Sequence, residues 1–239
     1  MKKILISGGG GEFAKELQKY NTKYKILAPT KEQMDIRKID DIDFYVYSEI
    51  PDYFIHAGAL TRPMVIHETK PDNSILTNVI GTSNVVLTCM KYNIKLIYLS
   101  TDYVYPGKDG NYNENDYLKP FTNYGWSKLG GECAVRLYDN YLILRMAMNK
   151  RPFPHPKALV DMKKSLMYID EAAQVVLKLL DETGTINVGG KAQSVYDFVK
   201  ETNPKVGKIH LKDVSDVNMA TDCSMNTKKM KSLIDDTII

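Results

Sequence analysis

Tyr124 and Lys128 stand four positions apart in the stretch "NYGWSKLGGE", residues 123–132. On a helix they share a face, one turn from each other. A phenol at its reference pKa of about 10 exchanges protons sluggishly near neutrality. A neighbouring ammonium favours the phenolate and lowers that value, each unit being worth about 1.4 kcal/mol. The two side chains therefore have the makings of a proton donor and its tuning cation. Spacing alone equally admits a partly buried tyrosine beside a solvated lysine, so the rest of the chain must decide.

A second group of residues suits a phosphate. "ILISGGGGEFAKEL" places Gly8, Gly11 and Ala14 at G-x-x-G-x-x-A spacing between an apolar run and an amphipathic one. Glycines there let the backbone turn tightly and approach a pyrophosphate held at a helix N-terminus, the arrangement of dinucleotide sites. The next apolar run ends Ala28, Pro29, Thr30, Lys31, without the acid that would bind the ribose of NAD. The missing acid and Lys31 favour the 2′-phosphate of NADP(H), with NAD(H) as the alternative and a plain surface lysine as the competing account. A third run ends in the small residues Ala57, Gly58 and Ala59, against which a cofactor can lie flat. A fourth ends in Ser100, Thr101 and Asp102, a polar cluster.

The elements that must position these groups alternate along the chain. "KKILIS", "YKILAP", "DYFIHAG", "KLIYLST" and "YLILRM" read as strands. "EFAKELQKY", the long run "DNSILTNVIGTSNVVLTCMKYN" and "NYGWSKLGGECAVRLYDN" read as helices between them. The alternation predicts an α/β fold with a doubly wound parallel sheet, whose strand C-terminal ends gather the ligand-binding residues at one edge. Residues 1–148 are expected to form this Rossmann-like domain. Residues 149–239 are expected to form a reduced C-terminal portion packed on it as one globular unit. There "NKRPFPHPKALVDMKK", with three prolines, reads as a loop across the mouth of the site. "DEAAQVVLKLLDE" reads as a helix, "GTINVGG" as a strand and turn, and "SVYDFVKET" as a helix. Residues 214–236 show no clear period apart from a helix near their end.

Composition narrows the function classes. The 239 residues are 44% hydrophobic and 26% charged, ordinary for a globular protein. The net charge of +3 is carried by scattered lysines, so neither nucleic acid nor a membrane surface is an expected partner. The three cysteines and four histidines show no metal-ligand or redox spacing, which predicts no metal and fits a reducing cytoplasm. The N-terminal apolar run is only "ILI" before the glycines, too short for a targeting segment.

With "STDYVYPG" followed by "NYGWSK", the chain resembles the extended short-chain dehydrogenase/reductase family, and in particular its dTDP-4-dehydrorhamnose reductase branch. The similarity extends from "ILISGGGGEFAKEL" through "NVIGTSNVV" and "YLILR", and more weakly to "SLMYIDEAA", "INVGG" and "SMNTKKM". The resemblance implies reduction of a nucleotide-sugar ketone by a nicotinamide hydride, in the synthesis of deoxysugars for surface polysaccharides. Tyr124 would deliver the proton, Lys128 would tune it and bond the nicotinamide ribose, and Thr101 would hold the carbonyl oxygen. Carried over by position, Gly8, Gly11, Glu12 and Phe13 would offer backbone to the pyrophosphate, and Asp35 and Ile36 would lie near the adenine. Asn78 would support the site from the long helix, while Thr61, Asp102 and Tyr103 would face the sugar. Asp35 also reads as a helix N-cap. A homodimer is a further implication of the resemblance.

Within that family, dehydratases typically carry Thr-Asp-Glu, and Tyr103 stands where the second acid would be. Epimerases usually lack the Thr-Asp pair present here. Reduction is the expected outcome, with an epimerase or dehydratase, and a non-catalytic cofactor-binding regulatory subunit, as alternatives. Two departures matter. Arg145, Met146, Ala147 and Met148 replace the Arg-Thr-Ser-Trp that often follows the fifth strand, and the C-terminal portion is short.

Overall fold

The computed structural model describes residues 1–214 and 219–234. Its centre is a six-stranded, wholly parallel sheet. β1 (Lys3–Ser7) has three consecutive apolar residues, Ile4, Leu5 and Ile6, at its centre, as a strand covered on both faces requires. β2 (Lys25–Leu27) and β3 (Tyr53–His56) flank it, and β4 (Lys95–Thr101), β5 (Tyr141–Met146) and β6 (Gly184–Val188) extend the sheet beyond β3. The strand order is β6-β5-β4-β3-β1-β2. The chain leaves β1 for β2 on one side and then crosses to β3 on the other. That reversal opens a crevice at the C-terminal ends of β1 and β3, where such sheets bind ligands.

Side-chain alternation divides the core into two layers. Ile4 and Ile6 of β1 face α1 (Glu12–Tyr20), through Phe13, Ala14 and Leu17. Leu5 faces the opposite layer, with Ile42 and Val46 of α2 (Ile39–Glu49). After β3 come α3 (Val65–Thr69), α4 (Pro71–Ser74), a π-helical turn (Ile75–Ile80) and α5 (Gly81–Tyr92). α4, the π-helical turn and α5 run on as the long helix expected from sequence, with one wide turn inside it, and the non-helical Lys70 sets α3 apart from them. α6 (Asn123–Val135) joins α2 and α5 on that face, and α7 (Ile169–Lys178) joins α1 on the other.

The chain beyond Met148 supplies both β6 and α7, so it shares the central sheet with the residues before it. The proline-bearing stretch is more ordered than a loop. Met148–Asn149 pairs with Met167–Tyr168, Lys157–Leu159 with Gly207–Ile209, and Lys163–Lys164 with Gln193–Ser194. These ladders and α8 (Val195–Lys200) surround a third apolar cluster containing Tyr105, Met162, Leu166, Phe198 and Met225. α9 (Lys228–Leu233) is the helix expected near the end; residues 215–218 and 235–239 lie outside the described residues.

Candidate active site

The glycine turn is built by close approach. Gly8 has φ +74°, and Gly9 donates its N–H to the Pro29 carbonyl at 3.1 Å. A Cβ on Gly9 would lie 2.2 Å from the Ala28 oxygen, so only glycine lets β1's exit lie against β2's. Gly10, by contrast, has nothing within 4 Å of where a Cβ would stand. Gly11 is the N-cap of α1, with no side chain capping the helix. The backbone N–H groups of Glu12 and Phe13, in the first turn and without a helical partner, and the open space at Gly10 therefore fit a dinucleotide's pyrophosphate. Lys150 reaches the same corner, its Nζ 2.7 Å from Glu12 Oε1.

The other cofactor candidates are held as follows. Thr30 and the exposed Lys31 follow directly on Pro29. Asp35 is not a helix N-cap: Lys38 holds that position for α2. Its carboxylate is clasped by both Nε and Nη2 of Arg37, a partner that sequence reading did not single out. That clasp, against the cost of burial, holds Asp35 below the usual carboxylate range. Ile36 is buried against Gly81 at the start of α5. At the end of β3, Ala57, Gly58 and Ala59 are partly exposed, and Gly58 donates to Ser7 Oγ at 3.0 Å.

A directed chain of hydrogen bonds runs inward from Ser7. Ser7 Oγ is 2.8 Å from His56 Nδ1, and His56 Nε2 is 3.0 Å from Thr82 Oγ1. Thr82 donates its one proton to the Asn78 carbonyl at 2.7 Å, so its oxygen must accept from His56 Nε2–H. Nδ1 is then the acceptor and Ser7 the donor. Burial keeps His56 neutral, its pKa pushed down to about 3. Asn78 lies in the π-helical turn, a distortion often found at functional sites. Its side chain accepts from Leu60 N and donates to Leu60 O and to Ser127 Oγ at 2.8, 2.9 and 2.9 Å. Ser127 in turn donates to the Tyr124 carbonyl. Asn78 thus ties the loop carrying Thr61 to the helix carrying Tyr124 and Lys128.

α6 is fixed at its N-terminus. Thr122 caps it by accepting from Gly125 N, and the Asn123 N–H donates to Glu68 Oε1 at 3.0 Å. The glycines after Lys128 are explained by close approach. A Cβ on Gly131 would stand 2.3 Å from the Tyr98 hydroxyl of β4. Deeper in, Glu132 and Arg145 form a fully buried ion pair at 2.8 Å, joined by Ser100 Oγ. Arg145 also donates to the Tyr105 hydroxyl. The arginine of the fifth strand therefore holds β4, β5 and α6 together.

These supports bring Thr101, Tyr124 and Lys128 to the strand C-terminal edge, but not with the electrostatics that spacing suggests. Lys128 is 3% exposed, so the solvated-lysine account does not hold. Its Nζ lies 4.1 Å from the centroid of the Tyr98 ring, and burial pushes its pKa down to about 7 against the pull of Glu132. The Tyr124 phenol is pushed up to about 12 by burial, despite the neighbouring Thr101 hydroxyl and the charge of Lys164. The expected acidic phenol is thus a protonated one, because desolvation outweighs nearby charge. Thr101 Oγ1 donates to Asp102 Oδ1 at 3.1 Å and accepts from Tyr103 N at 3.2 Å.

Two neighbours of Tyr124 gave no sequence signal. His67 of α3 is buried with its ring 5.0 Å from that of Tyr124 and Nδ1 2.7 Å from Ser74 Oγ. Lys164 places Nζ 2.8 Å from Asp102 Oδ2 and 4.2 Å from the Tyr103 ring centroid. Lys164 and Tyr103 border a cleft of about 490 Å³ that also includes Arg62, Met148, Phe153 and Lys157. Among the described residues, no cluster of potential metal ligands occurs and no helix is long and apolar enough to cross a membrane.

Comparison with known proteins agrees with this geometry. Residues 1–149 match the family model described as the RmlD substrate binding domain. The chain is 32% identical over 150 residues to dTDP-4-dehydrorhamnose reductase of Aggregatibacter actinomycetemcomitans, covering 61% of this chain and 51% of that protein. It is 31% identical over 143 residues to methionine adenosyltransferase 2 subunit beta of Bos taurus, covering 56% and 42% respectively. The chain therefore spans about half the length of the curated relatives it matches. Among solved structures, dTDP-4-dehydrorhamnose reductase of Bacillus anthracis in complex with NADP superposes with a TM-score of 0.86. It is 24% identical, over 97% of this chain and 92% of that one.

Proposed function

We propose an activity for this chain from one premise: it belongs to the RmlD substrate binding domain family. It is an NADPH-dependent reductase of a 4-keto-6-deoxy nucleotide sugar, acting in deoxysugar and surface polysaccharide synthesis, with NADH as the weaker cofactor. The observation that carries this reading is Tyr124, a partly buried phenol with the Thr101 hydroxyl beside it and Lys128 one helical turn on.

The residues divide the work. Bound dihydronicotinamide supplies the hydride. The glycine turn and the N-terminus of α1 hold the pyrophosphate, and Thr30, Lys31, Asp35 and Ile36 surround the adenosine half. Ala57, Gly58, Ala59 and Asn78 shape the nicotinamide side. A phenol with its pKa near 12 keeps its proton at neutral pH, so Tyr124 enters the reaction as a proton donor to the alkoxide forming from the carbonyl. Lys128, with its pKa near 7, is the exchangeable cation one turn behind. Thr61, Asp102 and Tyr103 line the sugar side, where the smaller Met148 leaves room that an aromatic would fill.

Residues 1–148 carry the cofactor and residues 149–239 shape the substrate cleft. The protein works in the cytoplasm as a homodimer. Exposed Ile75, Leu76, Ile80 and Leu87 along α4–α5, and Trp126 on α6, support an apolar contact between copies.

Purified protein supplied with NADPH and dTDP-4-dehydrorhamnose should consume the nicotinamide absorbance. Tyr124→Phe should cut kcat by about 10²–10⁴-fold while leaving NADPH affinity within threefold. A second reading, a cofactor-binding regulatory subunit, draws on the similarity to methionine adenosyltransferase 2 subunit beta. No turnover with a panel of keto-sugar nucleotides, alongside intact NADPH binding, would decide for it.

A further inference from the structure

Asp102 follows β4 directly and is buried, with each carboxylate oxygen engaged by a different partner. Oδ1 takes the Thr101 proton at 3.1 Å, and Oδ2 lies 2.8 Å from the ammonium of Lys164. Lys164 comes from the other end of the chain, on the short strand Lys163–Lys164, and its side chain is only 12% exposed. The Tyr103 ring, beneath that ammonium at 4.2 Å, lies 6.1 Å from the ring of Tyr124.

A threonine hydroxyl has one proton and two lone pairs. Here the proton goes to Asp102 and one lone pair takes the Tyr103 N–H, which leaves the other lone pair for the neighbouring Tyr124 hydroxyl. This order is strongest with Asp102 as a carboxylate, whose oxygens only accept. Protonation weakens Oδ1 as an acceptor, and a proton on Oδ1 itself makes Asp102 the donor and turns the Thr101 proton elsewhere, towards Tyr124.

We propose that Lys164 is a positioning residue of this site: its ammonium keeps Asp102 ionised, and Asp102 thereby orients the Thr101 hydroxyl that aims the Tyr124 O–H. The assignment rests on the reading above only in taking Tyr124 as the proton donor.

The surroundings of Asp102 make the dependence specific. It is faced by Tyr103 on its own turn, Tyr124 from α6, Cys223 from the segment before α9, and Lys164. Burial pushes the two phenols and the thiol upward, so they stay neutral near pH 7. Burial also raises the Asp102 carboxyl, and Lys164 is the positive charge that opposes it. Although burial works against the Lys164 ammonium too, the charge of Asp102 brings it above its ordinary value.

The test needs Lys164→Gln, Lys164→Arg and the double variant Lys164→Gln/Asp102→Asn. Its first measurement, requiring no turnover, is the melting temperature between pH 5.5 and 8.5. An acid whose folded pKa is raised loses stability as pH climbs from its unfolded value to its folded one. Lys164→Gln should therefore lose at least 5 °C across that range relative to the double variant, while the wild-type protein should run nearly parallel to it. Parallel curves for Lys164→Gln and the double variant would overturn the proposal.

The second measurement is kcat against pH. Lys164→Gln should show a new acidic limb, with kcat at least tenfold below wild type at pH 6 and recovering as Asp102 ionises, while the NADPH KM stays within threefold. Lys164→Arg should restore the wild-type profile. A uniform loss at every pH would mark a merely structural lysine. If Lys164→Gln does not fold at any pH, Lys164→Arg decides: melting and kcat close to wild type support the role of the charge, and a loss above tenfold overturns it. Absence of turnover in the wild-type protein would remove the reductase reading and leave the melting curves to judge the Lys164–Asp102 assignment.

Discussion

The ammonium of Lys128 rests 4.1 Å above the ring of Tyr98, on the floor of the site. Among the described residues no carboxylate lies within ion-pairing distance of it, and Glu132 acts on it only through longer-range charge. Tyr98 itself is packed between α6 and the sheet, with its hydroxyl 3.2 Å from the Lys128 carbonyl. The lysine is thus held by its aliphatic stem and a ring face, and its charge is left for a ligand to use. Such a cation costs stability in the free protein, which can be measured.

Lys128→Met should stabilise the fold by about 1–2 kcal/mol at pH 6 while abolishing turnover. The sign follows from the depressed pKa. The unfolded lysine holds its proton up to about 10.4, whereas the folded one releases it near 7. Stability of the wild-type protein should therefore rise between pH 7 and 9 as the buried charge is relieved. The advantage of Lys128→Met should be complete below pH 7 and shrink above it. Denaturant midpoints at pH 6 and 9 give the comparison, and an equal advantage at both would contradict the buried-cation account.

The glycine turn offers a separation of fold from binding. Gly9→Ala drives a Cβ into the Ala28 carbonyl and should cost about 1–3 kcal/mol. Gly10→Ala meets no protein atom within 4 Å and should leave the melting temperature unchanged. Its methyl would project into the space assigned to the pyrophosphate, so NADPH affinity should fall at least tenfold. Fluorescence titration with NADPH, run beside thermal melts, checks both. Unaltered binding in Gly10→Ala would place the cofactor elsewhere.

How much of this was readable beforehand depends on whether the signal was local. β1, α1, β4 and α6 were legible because their apolar periods are clean and short-range. The edge bearing Gly8, Thr101, Tyr124 and Lys128 followed from the parallel alternation. α2 was not legible, since "DFYVYS" is rich in strand-forming residues. Ile42 and Val46 face the core at helical spacing, but exposed Phe44 and Tyr47 obscure the period. Lys164 could not be found because its pairing with Asp102 exists only in three dimensions. The upward push on the Tyr124 phenol in the free protein was not legible for a related reason. Spacing shows that a cation is one turn away, whereas the burial that dominates the phenol belongs to the assembled fold.

The Glu132–Arg145 pair should behave as the frame of the site. Both side chains are buried, and Glu132 accepts from Arg145 Nε at 3.0 Å and Nη2 at 2.8 Å. Glu132→Gln leaves the arginine charge uncompensated and should cost roughly 3–5 kcal/mol. In a chain of this size that corresponds to a melting temperature lower by on the order of 10 °C. A drop of only a degree or two would mean that Tyr105 and the Glu114 carbonyl suffice to hold Arg145.

Cofactor choice can be tested at the far end of the crevice. Lys31 is exposed on the turn after β2, and Arg37 clasps Asp35 while its side chain stays 40% exposed. The Asp35 carboxylate is thus neutralised by Arg37, and the exposed Lys31 is placed to meet a phosphate. Lys31→Ala/Arg37→Ala removes two positive charges and releases the Asp35 carboxylate from its strongest partner. The KM for NADPH should rise at least tenfold, because a 2′-phosphate would lose its counter-charges and face a bare carboxylate. The KM for NADH should change less than threefold, or improve as Asp35 becomes available to a 2′-hydroxyl. Equal weakening of both cofactors would show that these side chains support the turn rather than read the 2′ position.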